Sequence, residues 1–90
     1  MAHTIRDKTK LQARVRRIRG QIEAVERALE AEIGCADVLQ LIASVRGAVN
    51  GLMAEVMESH MRSHVIAPAR ERDRMQGAEE VIDVMRTYMR

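Results

Sequence analysis

Apolar residues recur at alternating intervals of four and three residues over the first third of the chain. They are Leu11, Val15, Ile18, Ile22, Val25 and Leu29. This spacing forms one apolar stripe along an α-helix and is typical of a helical bundle or coiled coil. Thr4, followed three residues later by Asp7, predicts the N-terminal cap. Gly34 is predicted to be the glycine that ends the helix.

A second helix is predicted from about Ala36 to about Ile66, because the residue before Pro68 disfavours helical geometry. One apolar stripe on it comprises Val38, Ile42, Val45, Val49, Leu52 and Val56. A second stripe, rotated partway round, comprises Cys35, Leu39, Ile42, Arg46, Val49, Met53, Met57, His60 and His64. Two apolar stripes require two packing partners, so we expect this to be the central helix of a bundle.

The remainder predicts a charged loop from Arg70 to Gly77 and a short third helix from about Ala78 to Tyr88. Its expected inward residues are Val81, Ile82, Met85, and Tyr88 or Met89. The predicted fold class is therefore all-α, with three helices in a single domain over residues 1–90. With one aromatic residue in 90, the core is thin, and small domains of this kind often gain stability by oligomerising.

Composition also narrows the functional classes. No apolar run is long enough for a membrane span or signal peptide, and the single cysteine suits a reducing compartment, so we expect a cytoplasmic protein with no membrane partner. The sequence contains no Ser/His/Asp set and no phosphate-binding glycine loop. The neighbouring carboxylates Glu79 and Glu80 diverge on a helix. We therefore expect that the protein is not an enzyme.

Positive charge is concentrated at the N-terminus. Residues 1–20 hold seven basic residues against Asp7, a net charge of +6, whereas residues 21–90 carry −4. The basic residues are Arg6, Lys8, Lys10, Arg14, Arg16, Arg17 and Arg19. Such a segment is typical of a protein that binds a polyanion such as nucleic acid. A solvated helix face accounts for the charge equally well, so charge alone leaves both interpretations open.

The few residues suited to chemistry are three histidines and one cysteine. His60 and His64 are one helical turn apart on the same face, a workable spacing for two ligands of a transition metal. Cys35 lies on the same stripe. Each residue alone is more often structural than a ligand. Their common position on one helix favours a metal site.

The distance between these residues along the helix constrains how such a site forms. Cys35 and His60 are 25 residues apart, which is about 37 Å on a continuous helix, so one chain cannot bring both to one metal. Two antiparallel copies would pair Cys35 of one with His60 and His64 of the other, giving two identical sites. His3 follows Ala2, whose amine is exposed if Met1 is removed, and the two form a natural chelating pair.

Along its whole length the sequence resembles the CsoR/RcnR family of all-helical bacterial repressors. The matching segments are His3-Thr4-Ile5-Arg6-Asp7-Lys8, Arg14-Val15-Arg16-Arg17-Ile18-Arg19-Gly20-Gln21, Cys35, Ile42-Ala43, Val45-Arg46-Gly47-Ala48-Val49-Asn50-Gly51-Leu52-Met53 and Glu58-Ser59-His60. The resemblance implies an antiparallel four-helix-bundle dimer and a dimer of dimers. It also implies a repressor that binds double-stranded operator DNA and releases it when a metal or formaldehyde binds. The expected DNA contacts are Lys8, Lys10, Arg14, Arg16, Arg17, Arg19 and Arg46.

Within the family, a few positions distinguish the effectors. Copper sensors have a second cysteine where this sequence has His64, and formaldehyde sensors typically have proline at position 2 and a residue other than histidine at 64. Nickel and cobalt sensors resemble this chain at His3, Cys35, His60 and His64. The resemblance thus implies a Ni(II) or Co(II) site at these residues and the Ala2 amine, with derepression of metal efflux. Zn(II) is expected to bind in vitro. The alternative is a formaldehyde response through Cys35 and the N-terminal amine.

Overall fold

The computed structural model describes residues 7–88, and all regular elements within them are helices. Helix α1 spans Lys8–Glu30, and α2 spans Cys35–Met61 and continues into a π-helical turn, Arg62–Ile66. Helix α3 spans Glu71–Tyr88. The all-α class and the three predicted helices are confirmed. The predicted cap Thr4 lies outside the described residues, and Asp7 occupies the N-cap position of α1.

The chain divides into two compact units, and α2 passes from one into the other. Residues Asp7–Met53 form one unit, and the described residues from 54 onward belong to the other. No helix in the described part of the chain is long and apolar enough to cross a membrane.

In the first unit, the apolar stripe of α1 separates into two rows. Ile18 is buried, and Leu11 and Val25 are half-buried. The other members of the stripe, Val15, Ile22 and Leu29, are exposed by 48%, 52% and 60%. The α-helical repeat explains this, because residues spaced by seven form one row and the intervening set lies partway round the helix. Helix α2 shows the same pattern, with Val45 half-buried and Leu39, Ile42 and Val49 exposed.

The residue with left-handed backbone geometry at the end of α1 is not the predicted Gly34. Glu32 has φ 55°, and no described glycine has a positive φ. The backbone N–H of Ile33 donates to the carbonyl of Ala28 at 3.2 Å, which closes the helix end around Glu32. The carbonyl of Gly34 instead accepts from the N–H groups of Asp37 and Val38 at 3.0 and 3.1 Å and so begins α2.

The predicted loop from Arg70 to Gly77 is wrong, because α3 begins at Glu71. Glu71 and Asp73 lie in its first turn, where their negative charge interacts favourably with the helix dipole. Arg74 Nη1 donates to the carbonyls of Pro68 and Ala69 at 2.9 and 2.8 Å and thereby ties the connection to the helix. Charged residues that suggest a loop in sequence therefore form the start of a helix.

The earlier start of α3 also changes its inward face. Arg74, Ala78 and Val81 are half-buried and Gly77 is buried, so this row is the one that packs. Of the predicted inward residues, only Val81 is correct. Ile82, Met85 and Tyr88 are exposed by 38%, 46% and 72%, and Met89 lies outside the described residues.

The loop between α1 and α2 yields a stability prediction. Glu32→Gly should raise the free energy of unfolding by about 0.5–1 kcal/mol, because glycine adopts a positive φ without the steric cost borne by a side chain. Glu30→Gly removes the same charge from the last residue of α1 and should lower it by a similar amount. Urea denaturation followed by circular dichroism, at equal protein concentrations, compares the two. Equal effects of both variants would contradict the assigned backbone strain.

Candidate effector site and nucleic-acid surface

His60 and His64 lie close together where α2 meets the π-helical turn. Their ring centroids are 4.6 Å apart with an interplanar angle of 34°, and both residues are half-buried. The turn is defined by the N–H of Ala67, which donates to the carbonyl of Arg62 at 3.0 Å, a five-residue separation. Single π-helical turns occur frequently at functional sites. The proximity predicted from the four-residue spacing is therefore present in the folded chain.

Helix α3 holds the His60 imidazole from one side. Nε2 of His60 lies 3.1 Å from the carbonyl oxygen of Gly77 and 3.2 Å from Oε1 of Glu80. Both partners are hydrogen-bond acceptors, so Nε2 must carry the proton and donate. In the neutral ring the lone pair is then on Nδ1. The packing of α3 thus determines which nitrogen of the His60 ring carries the proton.

The two histidines line a cavity of about 490 Å³ in the second unit. Its other lining residues are Pro68, Asp73, Gln76, Gly77 and Glu80. Asp73, Gln76 and Gly77 were missed in the sequence because residues 70–77 were predicted to form a loop, whereas Glu80 was placed on the third helix but not recognised as a partner of His60. The available signal was weak: a run of helix-forming charged residues before Gly77, with Glu80 one turn beyond it.

Cys35 is the first residue of α2, and its side chain is exposed. Helix α2 continues without interruption to Met61. The assumption of a continuous helix, from which the large distance between Cys35 and His60 is predicted, is therefore correct. Within residues 7–88 of one chain, no three His, Cys, Asp or Glu side chains are grouped so that they could hold a metal. The predicted ligands His3 and Ala2 lie outside the described residues.

The predicted DNA-binding residues of α1 occupy two sides of the helix. Lys10, Arg14 and Arg17 form a first group on one side of the row that contains buried Ile18, and a second group lies on the other side and the back of the helix. The second group comprises Lys8, Arg16 and Arg19, all exposed. Arg46 is exposed on α2. A DNA duplex that lies against one side of α1 therefore cannot contact all six basic residues equally.

A second cavity, of about 370 Å³, lies between α1 and α2 beside Arg14 and Arg17. It is lined by Arg14, Arg17, Ile18, Gln21, Ser44 and Ala48. Nη1 of Arg14 reaches α2, since it lies 3.2 Å from where a Cβ on Gly51 would be. Oε1 of Gln21 is buried and has no hydrogen-bond partner among the described residues. The arrangement presents two guanidinium groups and an amide at one concave site.

The chain is similar to repressors over its whole length. The family described as metal-sensitive transcriptional repressor matches residues 7–87. The transcriptional repressor RcnR of Escherichia coli (strain K12) is 44% identical over 90 residues, which covers both chains completely. An uncharacterized protein in the bioA 5′ region of Serratia marcescens is 57% identical over 91 residues, again with complete coverage of both chains.

A solved structure with the same fold comes from Salmonella enterica serovar Typhimurium. It is a glutamate-to-histidine variant of the formaldehyde-responsive regulator FrmR, with a TM-score of 0.83 and 45% identity. The match covers 92% of this chain and 94% of that chain.

These matches extend over nearly the whole chain, which therefore belongs to the CsoR/RcnR family of metal-sensitive transcriptional repressors. The family resemblance and the prediction that the chain is not an enzyme are confirmed, since the family consists of transcriptional repressors, a role that implies DNA binding.

Proposed function

We propose that this protein represses transcription by binding operator DNA in its metal-free form and releases the DNA when Ni(II) or Co(II) binds, which derepresses metal efflux. The observation that carries the proposal is the paired imidazoles of His60 and His64 on the helix that begins with the exposed thiol of Cys35. Imidazole nitrogen and thiolate sulfur suit the late first-row transition metals. The presence of these four residues, His3 included, resembles the nickel and cobalt sensors of the family.

The local contacts of His60 fit a ligand role. Its Nε2–H donates to Gly77 and Glu80, so Nδ1 is the nitrogen that we propose to coordinate a metal. A carboxylate that accepts a hydrogen bond from the distal nitrogen fixes the orientation of a metal-binding imidazole. Ni(II) or Co(II), when bound, supplies a fixed link between its ligands. The ligand set we propose is His3, Cys35, His60, His64 and the amine of Ala2.

The proposed site requires two subunits. Cys35 and His60 lie near opposite ends of the continuous helix α2. Leu39, Ile42 and Val49 are exposed along the stripe between them, in keeping with an antiparallel partner helix on that face. We propose an antiparallel dimer, and a dimer of dimers on DNA, as the family resemblance implies.

Release of DNA follows from the position of the ligands in the chain. The proposed ligands His3 and Ala2 immediately precede α1, which carries the basic residues. Holding this segment at the effector site would favour an orientation of α1 that no longer matches the phosphate positions. Coupling between two such sites is typically worth about 1–3 kcal/mol. By reciprocity, bound operator would weaken metal binding by the same factor.

A formaldehyde response is the second candidate. The specific observation that favours it is the 45% identity to the formaldehyde-responsive regulator FrmR, together with the exposure of the Cys35 thiol. Cys35 and the N-terminal amine would be the reactive groups. The chemistry needs only a thiol and an amine, so the His60–His64 pair would then be dispensable.

Operator release tests the proposal directly. We expect Ni(II) and Co(II) to displace the protein from an operator duplex selected from a random library, and formaldehyde to leave the complex intact. Fluorescence anisotropy of the labelled duplex, with each effector added separately, is the measurement. Zn(II) and Cu(I) belong in the same series because intrinsic affinity follows the Irving–Williams order rather than biological selectivity. Release by formaldehyde but not by Ni(II) or Co(II) would identify the second candidate as correct.

Subunit mixing tests the shared site. Neither Cys35→Ala nor His60→Ala homodimers should show a cobalt–thiolate absorption band. A heterodimer of the two variants should recover the band at one of its two sites, because one site keeps Cys35 from one chain and His60 from the other. The two chains carry different affinity tags, so that tandem purification yields the heterodimer. No recovery of the band in the purified heterodimer would exclude the antiparallel arrangement.

The two groups of basic residues on α1 predict unequal roles. Replacing both Arg14 and Arg17 with alanine should weaken operator binding strongly and reduce the dependence of log K on log salt by about one for each phosphate that is no longer neutralised. The matched control, Arg16→Ala with Arg19→Ala, removes the same charge from the other side of the helix and should have a smaller effect. Anisotropy titrations at several salt concentrations distinguish the pairs. Indistinguishable slopes would mean that net charge alone governs binding.

A further inference from the structure

Gly77 is the buried glycine of α3, and its backbone lies against the backbone of His64. A Cβ at position 77 would overlap the carbonyl oxygen of His64 and lie 2.7 Å from its carbonyl carbon and 2.9 Å from its Cβ. Two of these three atoms belong to the main chain, which cannot move aside as a flexible side chain does. Any residue other than glycine must therefore push α3 away from the π-helical turn.

Gly77 also forms a hydrogen bond with the other histidine, His60. The carbonyl oxygen of Gly77 accepts the hydrogen bond from Nε2 of His60 at 3.1 Å. Glu80, one turn later on α3, supplies the second acceptor at 3.2 Å. The Cα and carbonyl of one residue have a fixed relative geometry. Gly77 thus fixes the position of the His60 ring relative to the backbone that carries His64.

Glycine is unfavourable inside a helix, so its presence at position 77 requires a structural explanation. Glycine in a helix interior costs about 0.5–1 kcal/mol relative to alanine, mainly in conformational entropy. Alanine in place of Gly20 or Gly47 would meet no atom within 4 Å, so a methyl group fits at those positions. At position 77 the absent side chain instead allows the two backbones to come into contact.

We propose that Gly77 is a positioning residue that sets both the tautomer of His60 and the separation of the two imidazoles. Close approach of α3 keeps the proton on Nε2, so that Nδ1 is the unprotonated nitrogen of the neutral ring. The consequence for metal affinity rests on the proposed function. The tautomer of His60 in the metal-free protein is independent of the proposed function. The proposal about Gly77 and the proposed function can therefore be disproved separately.

The first measurement is the ring ¹⁵N spectrum of His60 in the metal-free protein at mildly alkaline pH, assigned with His60→Gln. The wild type should show one tautomer with its proton on Nε2. Gly77→Ala should weaken this preference and raise the fraction of the ring protonated on Nδ1. A wild-type ring protonated on Nδ1 would overturn the proposal even if Gly77→Ala did not fold.

The second measurement is Co(II) affinity, since loss of the partner that orients a metal-binding histidine typically costs about 10- to 100-fold. We expect a loss of that size in Gly77→Ala and no loss in Gly20→Ala, the matched glycine with open space around it. Val81→Ala loosens the packing of α3 without changing the backbone beside His64, so it controls for general destabilisation.

The combined outcomes separate the possibilities. If Val81→Ala, at an equal loss of thermal stability, reduces Co(II) affinity and mixes the tautomers as much as Gly77→Ala, Gly77 has only a structural role and the proposal is wrong. If the wild type shows the Nε2 tautomer but does not respond to Ni(II) or Co(II), the proposed function fails. The tautomer measurement then still tests Gly77.

Discussion

The apolar surface of each helix exceeds what one copy of the chain buries. Among the apolar residues that the structure describes, only Ile18 and Ala28 are buried. Within the unit Asp7–Met53, much of the apolar surface of α1 and α2 stays exposed, with Leu29 and Leu39 exposed by 60% and 61%. Burial of apolar surface is worth about 25 cal/mol per Å², so contiguous exposed rows of this kind favour association. The proposed dimer would cover these rows, and the proposed shared metal site depends on it.

The helices could be predicted from the sequence because their periodicity is a local property of the chain. The two apolar stripes of α2 predicted a central helix, and in the structure Val45 of the first stripe is half-buried while Leu39 of the second is exposed. The incorrect predictions concern features of the fold that depend on backbone geometry or on tertiary contacts. The left-handed residue after α1 is Glu32 rather than Gly34. The charged start of α3 suggests a loop, but Arg74 binds carbonyls of the connection that precedes the helix, and no local pattern identifies that contact.

The candidate site was predictable in part. The pairing of His60 with His64 follows from helical spacing alone, and the rings are indeed adjacent. The contacts from α3 were not predictable, because Gly77 and Glu80 meet His60 across a tertiary interface separated by 17 and 20 residues in sequence. Gly77 looks like a helix breaker in the sequence, whereas in the fold it permits the close approach to His64. The pairing of the proposed ligands His60 and His64 is thus set by local geometry, while the groups that orient the His60 ring depend on packing between helices.

The proposed effector and DNA surfaces belong to different units of the chain. His60 and His64 lie in the unit that begins at residue 54, and Arg14 and Arg17 lie in Asp7–Met53. Helix α2 joins them covalently, and the N-terminal segment that precedes α1 would link them a second time only when its proposed ligands bind the effector. Helix α2 carries the proposed ligands Cys35 and His60 near its two ends, whereas the N-terminal segment carries the proposed ligands His3 and Ala2 immediately before the basic helix. The identity of the N-terminal donors therefore bears on both properties at once. The proposed donor His3 would add to metal selectivity and also determine how strongly binding repositions the basic helix, so the proposed mechanism couples selectivity to release.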